Sequence, residues 1–170
     1  MTNHADPHGV LLGRLHSENG RGALRMEKRV AASVEEVWSA ITDPALLSRW
    51  YGVVDGDLRP GGVYTAHVHA SGWEGTGRVE TCEPSRRLVL RAAEPGQPEG
   101  RTEVTLTADG DATVVVWEVH GLPLRYIAAF GAGTQVHIED LAAHLAGGER
   151  CDANARMDEL MPAYAEVAPK

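Results

Sequence analysis

Arg29-Val30-Ala31-Ala32-Ser33-Val34-Glu35-Glu36-Val37-Trp38, followed closely by Thr42-Asp43-Pro44-Ala45-Leu46-Leu47-Ser48-Arg49-Trp50, decides the fold. Ser33 and Glu36 form a capping box: the serine hydroxyl accepts from the Glu36 amide, and the Glu36 carboxylate accepts from the Ser33 amide. A helix therefore begins at Val34, with Val34, Val37, Trp38 and Ile41 on one face. It ends at Asp43, because a residue before proline avoids the α region. The same Asp43-Pro44 pair opens a second short helix as N-cap and first helical residue. Its apolar side is Leu46, Leu47 and Trp50.

Outward from this pair the periodicity changes. Before it, Leu24, Met26 and Val30 alternate with Arg25, Glu27 and Arg29, the period-two pattern of a half-buried strand. After it, turn residues separate strands expected at Val63–His69, Trp73–Cys82, Arg86–Ala92, Arg101–Ala108 and Thr113–His120. The connections are Ala70-Ser71-Gly72, Glu83-Pro84-Ser85, a loop over Glu94–Gly100, and Asp109-Gly110-Asp111. Consecutive strands on short turns make an antiparallel meander. A long helix within Tyr126–Ala146 follows, with Ile127, Phe130, Thr134, Ile138, Leu141 and Leu145 as its apolar stripe and Gly147-Gly148 as its stop. Residues 1–20 read as a loosely ordered lead-in, 21–148 as the domain, and 149–170 as a tail with one short amphipathic helix around Met157, Leu160, Met161 and Tyr164.

Composition narrows the function. The 170 residues are 43% hydrophobic, enough for one real core. The net charge of -8 repels phosphate backbones and anionic lipid, so neither nucleic acid nor a membrane is expected as partner. No apolar run approaches the ~20 residues of a membrane span, and no secretory leader is visible. Cys82 and Cys151 stand outside any paired spacing and read as free thiols of a cytoplasmic protein.

The four segments Arg29–Trp38, Thr42–Trp50, Arg59-Pro60-Gly61-Gly62 and Val136–Leu145 carry a family resemblance. The chain resembles the SRPBCC or START-like superfamily in its Aha-type (activator of heat-shock-protein ATPase) branch, over residues 22–148. The resemblance implies an α+β helix-grip fold: a curved antiparallel sheet around a long C-terminal helix, with a cavity between them. It implies three classes of function, namely binding of a hydrophobic ligand, aromatase/cyclase-like catalysis on a cavity-bound substrate, and docking on the ninety-kilodalton heat-shock chaperone. Chaperone regulators of this kind generally carry an additional N-terminal domain, for which residues 1–20 are too short. Many relatives place a tryptophan near the start of the last helix, where this chain has Gly133-Thr134.

The candidate site follows from strand parity. Tyr64, Trp73 and Trp117 fall on helix-facing positions, and Gly75 and Gly77 read as a gap opposite them. Phe130, Thr134 and Ile138 complete the expected lining, with Trp50 at the mouth and Tyr126 or Thr134 as polar handles. Tyr64 is the best inward-pointing candidate for any acid–base role. The histidines do not converge in threes: His67 and His69 point outward, and His137 and His144 sit at the edge of the apolar stripe. Glu80, Glu118, Glu139 and Asp140 fall off the inward face, and no nucleophile elbow, P-loop or dinucleotide fingerprint is present. The expectation is a pocket for a small hydrophobic molecule, with no catalytic residue, no metal and no cofactor. A homodimer is left open.

Overall fold

The computed structural model describes residues 11–170 apart from 94, 97 and 98. The first ten residues of the expected lead-in and part of the 94–100 loop therefore lie outside the described residues. Two strands, β1 (Gly13–Glu18) and β2 (Arg21–Val30), precede helices α1 (Val34–Thr42) and α2 (Pro44–Trp50). Six more strands follow: β3 (Gly52–Gly56), β4 (Val63–Val68), β5 (Glu74–Glu83), β6 (Arg87–Ala93), β7 (Gly100–Asp109) and β8 (Ala112–Leu122). A short 3-10 turn leads into α3 (Ile127–Leu145), and α4 (Ala153–Val167) ends the chain. All eight strands form one antiparallel sheet in the order β1-β2-β8-β7-β6-β5-β4-β3. This is the helix-grip arrangement. Among the described residues no helix is long and apolar enough to cross a membrane.

The capping box forms as read. Glu36 N donates to Ser33 Oγ at 3.2 Å, and Ser33 N donates to Glu36 Oε2 at 3.0 Å. Asp43 ends α1 and caps α2 through Ala45 N, with Pro44 in the first turn. Ser33→Ala should cost about 1 kcal/mol, read as a shift in the urea midpoint; a loss below a few tenths would show that the cap contributes nothing. The α1–α2 hairpin is seated by Thr113, a fully buried residue whose hydroxyl donates to Ala32 O at 2.8 Å. α3 ends as expected in a Schellman motif: Gly147 takes φ 80°, and the amides of Gly147 and Gly148 reach the carbonyls of His144 and Ala143.

Three elements differ from the sequence reading. Residues 13–18 form edge strand β1 rather than a loose lead-in, paired from Gly13↔Met26 to Glu18↔Arg21 through an Asn19-Gly20 turn with both residues at positive φ. β3 is a second edge strand, paired with β4 from Gly52↔Val68 to Gly56↔Tyr64. The tail is not a short piece but the 15-residue helix α4, which runs through Pro162. Leu160 and Tyr164 on α4 are buried with Leu24, Met26, Ala132, Val136 and Ile138, closing the back of α3. Arg156 clamps the Glu139 carboxylate with two nitrogens, at 2.7 and 3.0 Å, tying α4 to α3.

α3 packs chiefly on α4, β2, β1, α2 and α1. Its main partners do not include β4–β8, so the helix stands off that part of the sheet.

Candidate functional site

Burial along the inner face of the sheet changes from one end to the other. Near α1 and α2 the inward side chains Val79, Leu88, Val104, Leu106 and Val115 are all buried. Further along the same strands, at the same parity, Trp73, Leu90, Ala92, Thr102, Trp117 and Val119 are only half-buried. These positions are cross-strand neighbours: Leu90↔Thr102, Thr102↔Val119 and Val104↔Trp117 are paired in register. Parity directs them under α3, not to the outer face, where Arg91, Arg101, Glu103 and Glu118 form ion pairs. The N-terminal half of α3 shows the same openness from above. A Cβ on Gly133 would meet no atom within 4 Å. Phe130, Gly133, Thr134 and His137 fall on one side of the helix by the i, i+3, i+4, i+7 rule. The inner sheet is thus sealed at the α1–α2 end and incompletely filled at the other.

The expected lining residues divide accordingly. Tyr64 is buried, and Trp73 and Trp117 are half-buried on inward positions. Thr134 is buried. Ile138 is fully buried too, but it packs with the α4-side cluster of Leu24, Met26, Leu160 and Tyr164 and belongs to solid core. Trp50 is 2% exposed, and its indole N–H donates to Ala40 O at 2.9 Å. It is a strut between α1 and α2 and not a mouth residue. Tyr126 is half exposed, with the Arg125 guanidinium 4.8 Å from its ring centre. It stands before α3 begins, too early to turn inward. Phe130, 38% exposed, lies at the rim rather than in the lining.

The glycine gap is also corrected. A Cβ on Gly77 would overlap the Tyr64 ring, its cross-strand partner, and one on Gly75 would overlap the Trp73 ring. The two aromatics lie over the two glycines and cover bare backbone. The openness is therefore above β6–β8 and beneath Gly133, not at β5.

A polar group missed in the sequence sits against this space. The Tyr51 and His137 rings meet at 4.9 Å between centres in an edge-on arrangement, and Tyr51 packs against the apolar cluster that contains Tyr64. Burial pushes the Tyr51 hydroxyl up to about 12. Burial, with Tyr51 second, drives Tyr64 well above the ordinary phenol range. Burial brings His137 down to about 4, so all three are neutral at pH 7. His137 Nδ1 is sealed without a hydrogen-bond partner among the described residues. Tyr51 Oη, Tyr64 Oη and His137 Nε2 make no hydrogen bond to a described residue either, yet none of them is sealed off as Nδ1 is. The signal for His137 was present in the sequence, since it stands one turn from Thr134 and from Leu141 on the stripe. It was assigned to the water side of that stripe.

Two clefts open elsewhere, at the C-terminal end of α3. One, of about 490 Å³, is lined by Arg49, His144 and Gly147–Arg150. The other, of about 400 Å³, is lined by Glu35, Glu36, Ser39, Leu46 and His144 among others. Both are open to solvent and edged by charged side chains, which suits water better than an apolar ligand. Among the described residues no three His, Cys, Asp or Glu side chains converge as a metal site would require.

Comparison with known proteins agrees with the architecture. A family model described as activator of Hsp90 ATPase homolog 1-like protein matches residues 31–146. The crystal structure of CalU16 from Micromonospora echinospora is 26% identical, with a TM-score of 0.76 over 93% of this chain and 96% of its own. DynU16, a protein in the dynemicin biosynthetic locus, is 30% identical, with a TM-score of 0.68 over 76% of this chain and 50% of its own. A Bordetella parapertussis protein at 17% identity shares the fold alone, with a TM-score of 0.74 over 98% of this chain and 96% of its own. No curated protein matches in sequence. Because the family model spans more than half of its length, this chain belongs to the activator of Hsp90 ATPase homolog 1-like family.

Proposed function

We propose that the chain binds a small, largely apolar molecule between the inner face of β6–β8 and the N-terminal half of α3. One observation carries this reading: inward side chains from Trp73 to Val119 keep accessible surface, while the same rows are buried at the α1–α2 end. A packed interior at ordinary density leaves no such gradient. Aromatic walls with a few polar atoms are what small-molecule pockets present. The description of DynU16 as a protein of a biosynthetic locus accords with a fold that handles small molecules. Among the described residues no carboxylate is placed on the inward face, which favours binding without chemistry.

The test uses the neutral apolar dye N-phenyl-1-naphthylamine. Its fluorescence should rise on binding, with energy transfer from Trp73 and Trp117. Gly133→Trp should weaken that binding by at least tenfold while keeping or raising the melting temperature. The ring would enter open space, and replacing a mid-helix glycine removes a cost of about 0.5–1 kcal/mol. Thr134, already buried, is the wrong position to enlarge. Unchanged dye binding in a folded Gly133→Trp protein would refute the location, and no saturable binding to the parent would refute the function.

A further inference from the structure

The space under α3 is not uniformly apolar. Three neutral hydrogen-bonding groups border it, and none bonds another described residue: Tyr51 Oη, Tyr64 Oη and His137 Nε2. They form one group through Tyr51, whose ring touches that of His137 and which packs in the same apolar cluster as Tyr64. Each is held in place. Tyr51 follows the last residue of α2, its amide bonded to Leu47 O and its ring against Trp50. The Tyr64 ring lies over Gly77. His137 is fixed in the middle of α3.

Their donor character follows from where the imidazole proton must sit. Nδ1 of His137 is sealed and has no partner. A buried N–H without an acceptor is rarer and more costly than an unused lone pair. The proton therefore resides on Nε2, the nitrogen that keeps accessible surface, and Nε2–H is a donor. Both tyrosines carry a rotatable O–H that can donate. The cluster is thus three donors with no fixed acceptor and no charge.

We infer that this cluster recognises a carbonyl oxygen, so that the ligand is a neutral, mostly apolar ketone or quinone whose carbonyl accepts from His137 Nε2–H and the two tyrosine hydroxyls. The inference rests on the proposed cavity and names the chemistry of its occupant. A pure hydrocarbon would cover three donors and satisfy none, which costs more than a missing attraction. A carboxylate would bring a full charge into a desolvated space, inside a chain of net charge -8.

Three naphthalenes of similar size separate the outcomes: 2-acetylnaphthalene (a ketone), 2-isopropylnaphthalene (a hydrocarbon) and 2-naphthoate (an anion), each competed against the bound dye. The ketone should bind about tenfold tighter than the hydrocarbon, the effect of one or two well-made hydrogen bonds, and tighter than naphthoate. Its carbonyl stretch should move to lower wavenumber on binding to the parent protein, a reading that needs no variant. Tyr51→Phe and His137→Leu should each lower ketone affinity several-fold and leave hydrocarbon affinity unchanged. Equal affinity for ketone and hydrocarbon, or a carbonyl stretch like that in alkane, overturns the carbonyl inference while the cavity stands. Tightest binding of naphthoate overturns it in favour of an anion site. Failure of all three to displace the dye removes the cavity reading and this inference with it.

Discussion

Tyr164→Ala should cost about 3–5 kcal/mol, the range for deleting a fully enclosed aromatic side chain. Tyr164 has no exposed surface and packs against Leu24, Met26, Val136 and Ile138. Its hydroxyl also closes a polar junction: it donates to Gln135 Oε1 on α3 and accepts from Gly13 N on β1 at 2.9 Å. Gln135 is itself 1% exposed and holds Leu12 N at 3.1 Å. The substitution leaves a cavity and takes a partner from buried polar groups in two other elements, and these costs compound. Tyr164→Phe keeps the packing and should cost only about 1–2 kcal/mol. Equilibrium urea unfolding of both variants reads the difference. A loss under 1 kcal/mol for the alanine variant would mean that α4 is an appendage and not part of the core.

That junction also shows where sequence reading stopped. The α1–α2 hairpin was legible because its signals are local: Ser33, Glu36, Asp43 and Pro44 fix their own backbone regardless of the rest of the chain. Strand parity was legible for the same reason, and Tyr64, Trp73 and Trp117 do stand on inward positions. β1 was not legible, because Arg14, His16, Ser17 and Asn19 lack the alternation of a strand. It exists because the β2 edge and Tyr164, from opposite ends of the chain, hold it. Pro162 similarly concealed the length of α4. The glycines misled because period two says which side a residue faces, not what lies above it. Gly75 and Gly77 carry the rings of Trp73 and Tyr64, whereas Gly133 borders the open space. His137 was missed because a histidine at the edge of a stripe is ordinarily wet. Its neighbour Tyr51 lies 86 residues away in sequence and reaches it only in the fold.

The buried histidine sets a limit on acid stability. Unfolded, His137 titrates near the ordinary imidazole value of 6.5; burial, which disfavours the imidazolium, brings it down to about 4 in the folded protein. Above pH 6.5 it is neutral in both states and stability is unaffected. As pH falls below 6.5 the unfolded chain takes up a proton that the folded chain refuses, so stability declines until the pH reaches about 4. At 1.36 kcal/mol for each pH unit of separation, the loss is about 2 kcal/mol by pH 5 and about 3 kcal/mol by pH 4. The carboxylates of Glu18, Asp57 and Glu103, held low mainly by hydrogen bonds to histidine or arginine, lose their contribution only as pH falls from about 4.5 downward. Between pH 6.5 and 5 those carboxylates stay ionised, so the difference between the parent and a His137 variant reports the buried imidazole. On the alkaline side the sign reverses. Tyr51 is raised, so its contribution is complete below pH 10 and is lost as pH climbs toward about 12. Unfolding free energy measured from pH 8 to pH 5 should fall about 2 kcal/mol further in the parent than in His137→Leu, which lacks the buried imidazole. A parallel fall in both proteins would place the acid sensitivity outside the cavity and return His137 to the surface role that its position in the sequence first implied.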